Sequence, residues 1–378
     1  MKRVSVVIPY YRRLRNLRLA LCALAEQDMP RDEFEVIIGS LEHSIELASL
    51  LQEFGSRLDV RCVASSEPWN VARARNLALR AVEAEVVQLL DADMLLPRNY
   101  LRRLVQRFAL DAAKVVVGQM LNYDEGVDVG TYSEHDFDFY QQRFLGREDR
   151  PELPADIRWT IEQPLPWALC WTASIALSRH DLERYGLYFD TRFKGWGVED
   201  TEWGFRLTQA KLPIVFADEL WAIHLPHPRN VASNHRDEAS NFDRFLRKWP
   251  CFDVEVVAAF GDVNGNRRYH ELLREAERVG GPSGSVGVVE YSGGEGAALM
   301  IGAVRGDDGQ PANPEFRAAL EERAPWKLLP IFGYRLPYDT GSIARAEVLP
   351  TLRRAPDVLQ EMVRREAQRV SRAPIHVH

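Results

Sequence analysis

Short apolar runs alternate with helical patterns along residues 1–120. The apolar runs are rich in β-branched side chains, which is typical of buried strands. They predict strands over Val4–Ile8, Phe34–Gly39, Val60–Ala64, Glu85–Leu90 and Lys114–Gln119. The segments between them repeat apolar residues at helical spacing and predict helices over Asn16–Glu26, Ile45–Phe54, Asn70–Ala84 and Pro97–Leu110. Strands that alternate with helices indicate βαβ units, so we predict an α/β fold with a mostly parallel, Rossmann-like sheet flanked by helices.

Beyond residue 120 the pattern is less regular. Asn122–Pro166 is polar, aromatic and interrupted by proline, which predicts a long loop of the kind that often carries function. Regular structure is predicted again over Trp167–Leu177, Arg179–Tyr185, Thr201–Ala210 and Pro213–Phe216. The Gly- and Ser-rich stretch Gly280–Gly296 predicts a boundary. We therefore predict one domain over 1–279 and a small C-terminal α/β appendage over 280–378. The appendage is predicted to contain a strand pair at Val286–Tyr291 and Ala297–Val304 and a helix at Pro356–Arg372.

Composition and charge narrow the functional classes. The 378 residues include 48 Lys and Arg against 55 Asp and Glu, a net charge of −7. This balance argues against nucleic-acid binding, which needs a basic surface. The four cysteines form no Cys-x-x-Cys pair, so we expect reduced thiols rather than a disulfide scaffold or a zinc site. The sequence has no signal-peptide pattern and no apolar stretch near the roughly 20 residues that span a bilayer. We predict a soluble, cytoplasmic protein without a transmembrane segment.

The motif Asp91-Ala92-Asp93 directly follows the predicted strand Glu85–Leu90. Open α/β sheets bind ligands at the carboxyl ends of their strands. Two carboxylates two residues apart on a turn can point at one hard cation, such as Mg²⁺ or Mn²⁺. Acidic pairs also occur as ordinary solvated turn residues, which is the competing interpretation of this short motif. The apolar strand before it favours the cation site.

A second candidate is the segment around Trp196. Glycines on both sides, at 195 and 197, allow a tight backbone and the close approach of a ligand. The indole of Trp196 offers a flat apolar face that suits a sugar ring. Glu199 and Asp200 then open a predicted helix, where acidic residues also serve as ordinary capping residues.

Two histidines and two arginines can complete such a site. His224 follows an apolar, strand-like run, and His227 comes three residues later on a proline-containing loop. An imidazole can complete a cation site made by carboxylates, and the alternative, favoured for His227, is a hydrogen-bonding role. Arg73 and Arg75 lie near the start of a predicted helix, where they can bind a diphosphate or form an exposed basic face.

In this order, the segments resemble family 2 glycosyltransferases of the GT-A fold. The resemblance covers residues 4 to about 230, and residues 280–378 lie outside it. It rests on the opening VSVVIPYYRR, on ARARNLAL followed by VVQLLDADMLLP, and on a block that runs from Trp171 through YGLYFD to GWGVEDTEWGFRL. The last block is similar to the acceptor-side motif of chondroitin-polymerase-like and β-1,4-galactosyltransferase-like enzymes.

The resemblance implies a nucleotide-sugar donor and a divalent metal ion, Mn²⁺ or Mg²⁺. The metal ligands that it implies are Asp93, His224, Asp91 and His227. His227 would be a substitute for His224, and Asp91 would bind either the metal or the ribose of the donor. The donor-binding residues that it implies are Pro9, Tyr11, Glu42, Arg75, Asn76, Asp91, Ala92, Trp196 and Gly197. Residues 1–120 would then form the nucleotide-binding half of the domain and residues 121–279 its acceptor half.

The implied function is that of a hexosyltransferase. It would transfer a single sugar, with inversion, from a nucleotide-diphosphate sugar (a UDP-sugar is favoured) to a nucleophile on an unidentified glycan, small molecule or peptide. Asp200 would be the general base that takes the acceptor proton, with Glu199 and Trp196 shaping the sugar and acceptor pocket. The alternatives are a retaining enzyme of the polypeptide N-acetylgalactosaminyltransferase type, a non-catalytic sugar- or nucleotide-binding relative, and a phosphatase of the haloacid dehalogenase type. Asp200 stands where the retaining motif has Asn, and Leu95 disfavours the phosphatase.

Overall fold

The computed structural model describes residues 2–110, 115–121, 135–146, 149–225, 227, 230–294, 296–322 and 325–378. It has two compact units, one of Met1–Thr160 with Pro166–Asp237 and one of Ile161–Leu165 with Glu238–His378. The strands of the first unit are β1 (Val4–Tyr10), β2 (Phe34–Ser40), β3 (Val60–Ala64), β4 (Val86–Leu90), β5 (Met94–Leu95), β6 (Val115–Leu121), β7 (Ser174–Ser178) and β8 (Ile214–His224). Its helices are α1 (Leu14–Ala25), α2 (Ile45–Phe54), α3 (Val71–Leu79), α4 (Tyr100–Ala109), α5 (Phe137–Tyr140), α6 (Arg179–Arg184) and α7 (Glu199–Gln209).

The first sheet has eight strands in the order β3-β2-β1-β4-β7-β6-β8-β5. Four of the seven strand pairs are parallel among the described residues, and the three antiparallel pairs involve β7 or β5. All residues of β1, β2, β4 and β6 are buried, as expected for strands covered on both faces. Because β1 lies parallel between β2 and β4, the strand order reverses there and opens a crevice at the carboxyl ends of β1 and β4.

The structure confirms the α/β class and corrects several predicted bounds. The predicted helix Asn70–Ala84 is α3, which begins after Asn70 because the Asn70 side chain caps it by accepting a hydrogen bond from the Arg73 amide. It ends at Leu79. The predicted strand Pro213–Phe216 is only the start of β8, which continues to His224 along β6. Lys114 and, within the predicted long loop, residues 122–134 and 147–148 lie outside the described residues.

Three helices follow β8 where the sequence analysis predicts no element: α8 (Val231–Lys248), α9 (Phe252–Phe260) and α10 (Asp262–Gly280). The buried residues of α8 are Asn241, Phe242, Phe245 and Leu246, all in its C-terminal half. Its polar first half therefore hides the apolar periodicity on which a helix prediction depends.

The second unit has a five-stranded sheet in the order β11-β9-β10-β12-β13. Its remaining elements are β9 (Ser285–Gly293), β10 (Gly296–Arg305), α11 (Pro314–Glu321), β11 (Trp326–Leu329), β12 (Arg345–Val348), α12 (Asp357–Val370) and β13 (His376–Val377). The predicted strand pair is the antiparallel pair β9–β10, and the predicted helix Pro356–Arg372 is α12. Because α10 packs against β9, residues 238–279 belong to this compact unit, although the predicted boundary is at 279/280. The functional division of the chain stays a prediction.

A separate question is whether any element can cross a membrane. No helix of the described residues is both long enough and apolar enough to do so. The cytoplasmic location stays a prediction.

Candidate active site

Strand register brings Asp93 beside His224. After β4, the amide of Met94 donates a hydrogen bond to the carbonyl of Asp91 at 3.1 Å, which closes a turn. β5 then pairs antiparallel with the end of β8, with Met94 opposite His224. The amide of Leu225 donates to the carbonyl of Asp93 at 2.8 Å and fixes the following loop. Two residues that are distant in sequence therefore meet at one edge of the sheet.

Asp93, His224 and His227 form a group of three potential metal ligands. One ligand atom of each lies within 4.8 Å of the other two, and Nε2 of His227 is 3.1 Å from Oδ2 of Asp93. Burial favours a higher pKa for Asp93, but the hydrogen bond with His227 and the charges of His224 and Arg13 hold that pKa well below its usual range. The combination of this carboxylate with two imidazoles is a donor set that fits a transition metal such as Mn²⁺. Asp91, also predicted as a ligand, is not in this group.

Arg13 contacts this group, although the sequence analysis does not single it out. Its Nη1 donates to Oδ2 of Asp93 at 2.5 Å and lies 3.0 Å from Nε2 of His227. Arg13 lies between β1 and α1, at the carboxyl end of a strand that is adjacent to β4. The signal that could have found it is the arginine pair at 12 and 13, because the topology brings the end of β1 to the end of β4.

Arg75 is at the centre of a second charged group. It is buried, and it donates from Nη1 to Oε1 of Glu199 at 2.8 Å and from Nη2 to Oδ1 of Asp91 at 3.1 Å. Burial lowers the pKa of Arg75, but the charges of Asp91, Glu199 and Asp200 outweigh burial and raise it. Burial raises the pKa of Asp91, against the charge of Arg75. One buried cation therefore offsets the mutual repulsion of three carboxylates.

The segment around Trp196 has a constrained backbone. Gly195, Gly197 and Val198 have positive φ angles of 73°, 83° and 71°. This conformation is costly for a β-branched residue such as Val198. The indole of Trp196 is 44% exposed, and its backbone amide donates to Oδ2 of Asp237 at 3.3 Å. The strain lies immediately before the two acidic residues that open α7.

Aromatic rings lie beyond the end of β1. The ring of Tyr11 stacks on Trp69, with a centroid distance of 4.6 Å and an interplanar angle of 12°. The guanidinium of Arg12 lies over the Tyr11 ring at 4.9 Å, and its Nε is 3.9 Å from the carboxylate of Glu42. Trp69 is absent from the predicted site. It directly precedes Asn70, the cap of α3, so the start of that helix could have indicated it.

The remaining predicted donor residues are less involved in the two charged groups. Pro9 lies in β1 opposite Gly39 of β2, and Ala92 is buried within the turn after β4. The Asn76 side chain is bound to backbone, because it donates to the carbonyl of Phe189 and accepts from the Phe189 amide, both at 2.8 Å. The catalytic and binding roles of all the predicted site residues stay predictions.

Comparison with known proteins identifies the family. A family model described as "Glycosyl transferase family 2" matches residues 5–160. The chain is similar to validoxylamine A glucosyltransferase of Streptomyces hygroscopicus subsp. jinggangensis (30% identity over 291 residues, 72% of this chain and 69% of that protein). It is also similar to chondroitin synthase of Escherichia coli (27% identity, 54% of this chain and 32% of that protein). A similar solved structure is S. aureus TarS 1-349 in complex with UDP-GlcNAc (TM-score 0.47, 17% identity, 71% of this chain and 73% of that chain).

These matches confirm the predicted enzyme class. Two thirds of the Streptomyces protein is covered at 30% identity, and the family model independently covers the region of β1 to the long loop. They favour a glycosyltransferase over two of the alternatives, the phosphatase and the non-catalytic relative. This chain belongs to glycosyltransferase family 2, with the GT-A type of α/β fold, and is an enzyme that acts on nucleotide sugars.

Proposed function

We propose that this chain is an inverting, metal-dependent glycosyltransferase that moves one sugar from a nucleotide-diphosphate sugar, with UDP-sugars as the favoured donors, to an acceptor nucleophile. The observation that carries the proposal is that acidic side chains near the carboxyl ends of β1 and β4 form two groups with different partners. Asp93 lies with His224 and His227, whereas Glu199 and Asp200 interact with Arg75. The first group suits a cation and the second suits a proton acceptor.

The cation that we propose is Mn²⁺, with Mg²⁺ as the alternative. Asp93, His224 and His227 would hold it, and they fit because their ligand atoms converge within 4.8 Å and the carboxylate is ionised. When bound, such a cation supplies positive charge that stabilises the negative charge on the departing diphosphate.

Asp200 is the proposed general base. A hydroxyl is a poor nucleophile until a base takes its proton. Oδ1 of Asp200 accepts a hydrogen bond from the Thr201 amide at 2.8 Å, which orients the carboxylate at the start of α7. The acceptor oxygen forms a bond to the anomeric carbon while the bond from that carbon to the diphosphate breaks. The proton goes to Asp200 and the electron pair leaves with the diphosphate. Attack from the face opposite the leaving group gives inversion.

Arg75 supports this chemistry through its charge. Its guanidinium holds Asp91 and Glu199 by direct hydrogen bonds and interacts with the charge of Asp200. We propose that it keeps these carboxylates together in one orientation and adds positive charge where the diphosphate departs. A lysine would not replace it, because a single ammonium nitrogen cannot take the positions of the two separate nitrogens that donate to Glu199 and Asp91.

The test has two steps. A thermal-shift panel of UDP, GDP and their sugars, each with and without Mn²⁺, identifies the donor, because a ligand at 100 times its dissociation constant adds about 2.7 kcal/mol of stability. A shift that requires Mn²⁺ supports the metal-dependent site. Proton NMR of the product from the identified donor then gives the anomeric configuration. Retention of configuration would overturn the inverting mechanism and favour the retaining alternative.

A further inference from the structure

We infer that Arg13 competes with the proposed cation for Asp93 and His227, so that the cation binds only when the Arg13 guanidinium is displaced. This inference rests on the proposed metal centre. Nη1 of Arg13 is 2.5 Å from Oδ2 of Asp93 and 3.0 Å from Nε2 of His227. These two atoms are themselves 3.1 Å apart, so a single cation and the guanidinium nitrogen would need the same place beside them.

The competition follows from the chemistry of the arginine side chain. A guanidinium carries a fixed positive charge, has only donor groups and cannot ligate a metal. A cation needs the lone pairs of the Asp93 carboxylate, which accepts a hydrogen bond from the guanidinium, and an available lone pair on the His227 imidazole, beside which the guanidinium lies. Two positive charges at hydrogen-bonding distance from the same carboxylate also repel each other, and this repulsion is strong because Asp93 is buried.

The exposure of the two partners indicates which one moves. The side chain of Arg13 is 43% exposed, whereas that of Asp93 is 5% exposed. The guanidinium can therefore turn into water, while the carboxylate stays fixed by its position between β4 and β5. Asp93 and His227 thus remain available to a cation after Arg13 leaves.

A coupling between cation and nucleotide follows. A displaced guanidinium loses its partners, and a diphosphate that arrives with the cation offers it new negative charge. UDP should therefore increase the affinity for Mn²⁺, and linkage requires Mn²⁺ to increase the affinity for UDP by the same factor. Part of this factor should depend on Arg13.

The test measures Mn²⁺ binding directly, by the loss of the electron paramagnetic resonance signal of free Mn²⁺. Wild type is compared with Arg13→Met and with Arg12→Met, which removes the same charge from the neighbouring position. Arg12 is a matched control because its side chain is 73% exposed and lies over Tyr11.

Without nucleotide, Arg13→Met should bind Mn²⁺ about tenfold more tightly than wild type, a factor within the range of coupled sites. Arg12→Met should bind as wild type does, and UDP should strengthen Mn²⁺ binding more in wild type than in Arg13→Met.

The opposing outcomes separate two failures. Equal or weaker Mn²⁺ binding by Arg13→Met, while wild type binds Mn²⁺, overturns the competition alone. Equal tightening in Arg13→Met and Arg12→Met also overturns it, because the effect is then one of general charge. Equal strengthening by UDP in wild type and Arg13→Met overturns the coupling. No Mn²⁺ binding by any of the three proteins, with or without UDP, overturns the proposed metal centre and the inference with it.

Discussion

Two buried carboxylates, Asp93 in the first unit and Glu255 in the second, have different kinds of partner. In the first unit, Asp93 and Glu199 contact cationic or imidazole side chains that come from distant parts of the chain. In the second unit, Glu255 of α9 accepts hydrogen bonds from the backbone amides of Phe332 and Gly333, both at 2.6 Å. The first arrangement brings charged groups together at a sheet edge, whereas the second holds a loop.

The difference also appears in the pKa values of these groups. Burial raises the pKa of Glu255 to about 7, and the backbone amides oppose this only in part. Burial acts in the same direction on Asp93, yet its neighbours hold the pKa of that carboxyl well below its usual range. Burial alone therefore does not mark a reactive carboxylate. Charged partners that keep it ionised are the more informative sign.

The largest effect is expected for Asp200→Asn. Loss of the proposed base should lower the rate constant of transfer by about 100- to 10,000-fold, because an amide cannot take the acceptor proton. Steady-state kinetics with the identified donor measure this. The thermal shifts with UDP and Mn²⁺ serve as the control and should remain as in wild type. A variant that keeps its full rate would remove Asp200 from the role of base.

A large effect on metal affinity is expected for Asp93→Asn. Replacing even an outer partner of a metal ligand typically costs 10- to 100-fold in affinity, so loss of this charged ligand should weaken Mn²⁺ binding at least about 100-fold. His224→Ala and His227→Ala, measured in the same way by paramagnetic resonance, decide which imidazole is a ligand. If Asp93→Asn bound Mn²⁺ normally, Asp93 would belong with Glu255 among the structural carboxylates, and the comparison would break.

The sequence predicts the parts of this site that depend on local patterns. The apolar strand before Asp91 and the rule that ligands bind at strand ends together predict a functional acidic turn. The convergence of Asp93 with Arg13 could not be predicted in the same way, because it depends on which strands are neighbours in the sheet. The pairing of Arg75 with Glu199 likewise joins residues 124 positions apart and depends on tertiary structure.

The second unit was harder to predict for a related reason. Its sheet strands have usable patterns, and the β9–β10 pair follows from them. Glu255 holds the segment around Phe332, which is 77 positions away in the sequence. A single Glu within an apolar helix does not indicate which segment it contacts. A buried acid in such a helix is a reason to expect a backbone segment packed against it.

An intermediate effect on stability is expected for Glu255→Gln, and it depends on pH. The folded pKa of about 7 lies above the ordinary value of 4.5, so the contribution of Glu255 to stability is complete below pH 4.5 and is lost as the pH rises through 7. The loss amounts to at most about 3 kcal/mol. The Gln amide would place an N–H group against a backbone N–H, so the variant should be less stable than wild type at pH 5, with a smaller difference at pH 8.

Urea denaturation at the two pH values measures this difference. Glu366→Gln is the control for the change of side chain. Glu366 is also buried and accepts a hydrogen bond, at 2.8 Å, from the Leu336 amide of the same loop, but it is paired with Arg369 as well. A difference between wild type and Glu255→Gln that stays constant from pH 5 to pH 8 would contradict the raised pKa. Such a result would also remove the contrast between the pKa of Glu255 and that of Asp93.

The smallest effect is expected at the glycines that flank Trp196. Alanine at either position meets a positive φ, which costs about 1 kcal/mol. A Cβ at Gly195 would also lie 2.2 Å from Oδ2 of Asp237, whereas a Cβ at Gly197 has no atom within 4 Å. Gly195→Ala should therefore lower the free energy of unfolding by about 1 kcal/mol more than Gly197→Ala, because the Asp237 side chain must leave its hydrogen bond with the Trp196 amide.

The Asp237→Ala background tests the cause of that difference. If the Asp237 carboxylate is responsible, the difference between the two alanine variants should become smaller in that background, since contacts between neighbours appear as non-additive effects. It should not vanish, because the Cβ that alanine keeps at position 237 still lies 2.9 Å from a Cβ at 195. A difference that stays as large as in wild type would show that the carboxylate is not its cause. Equal costs already in wild type would mean that the hydrogen bond of Asp237 does not hold the segment. The strained backbone from Gly195 to Val198 would then be a stronger constraint on the segment than the hydrogen bond of Asp237.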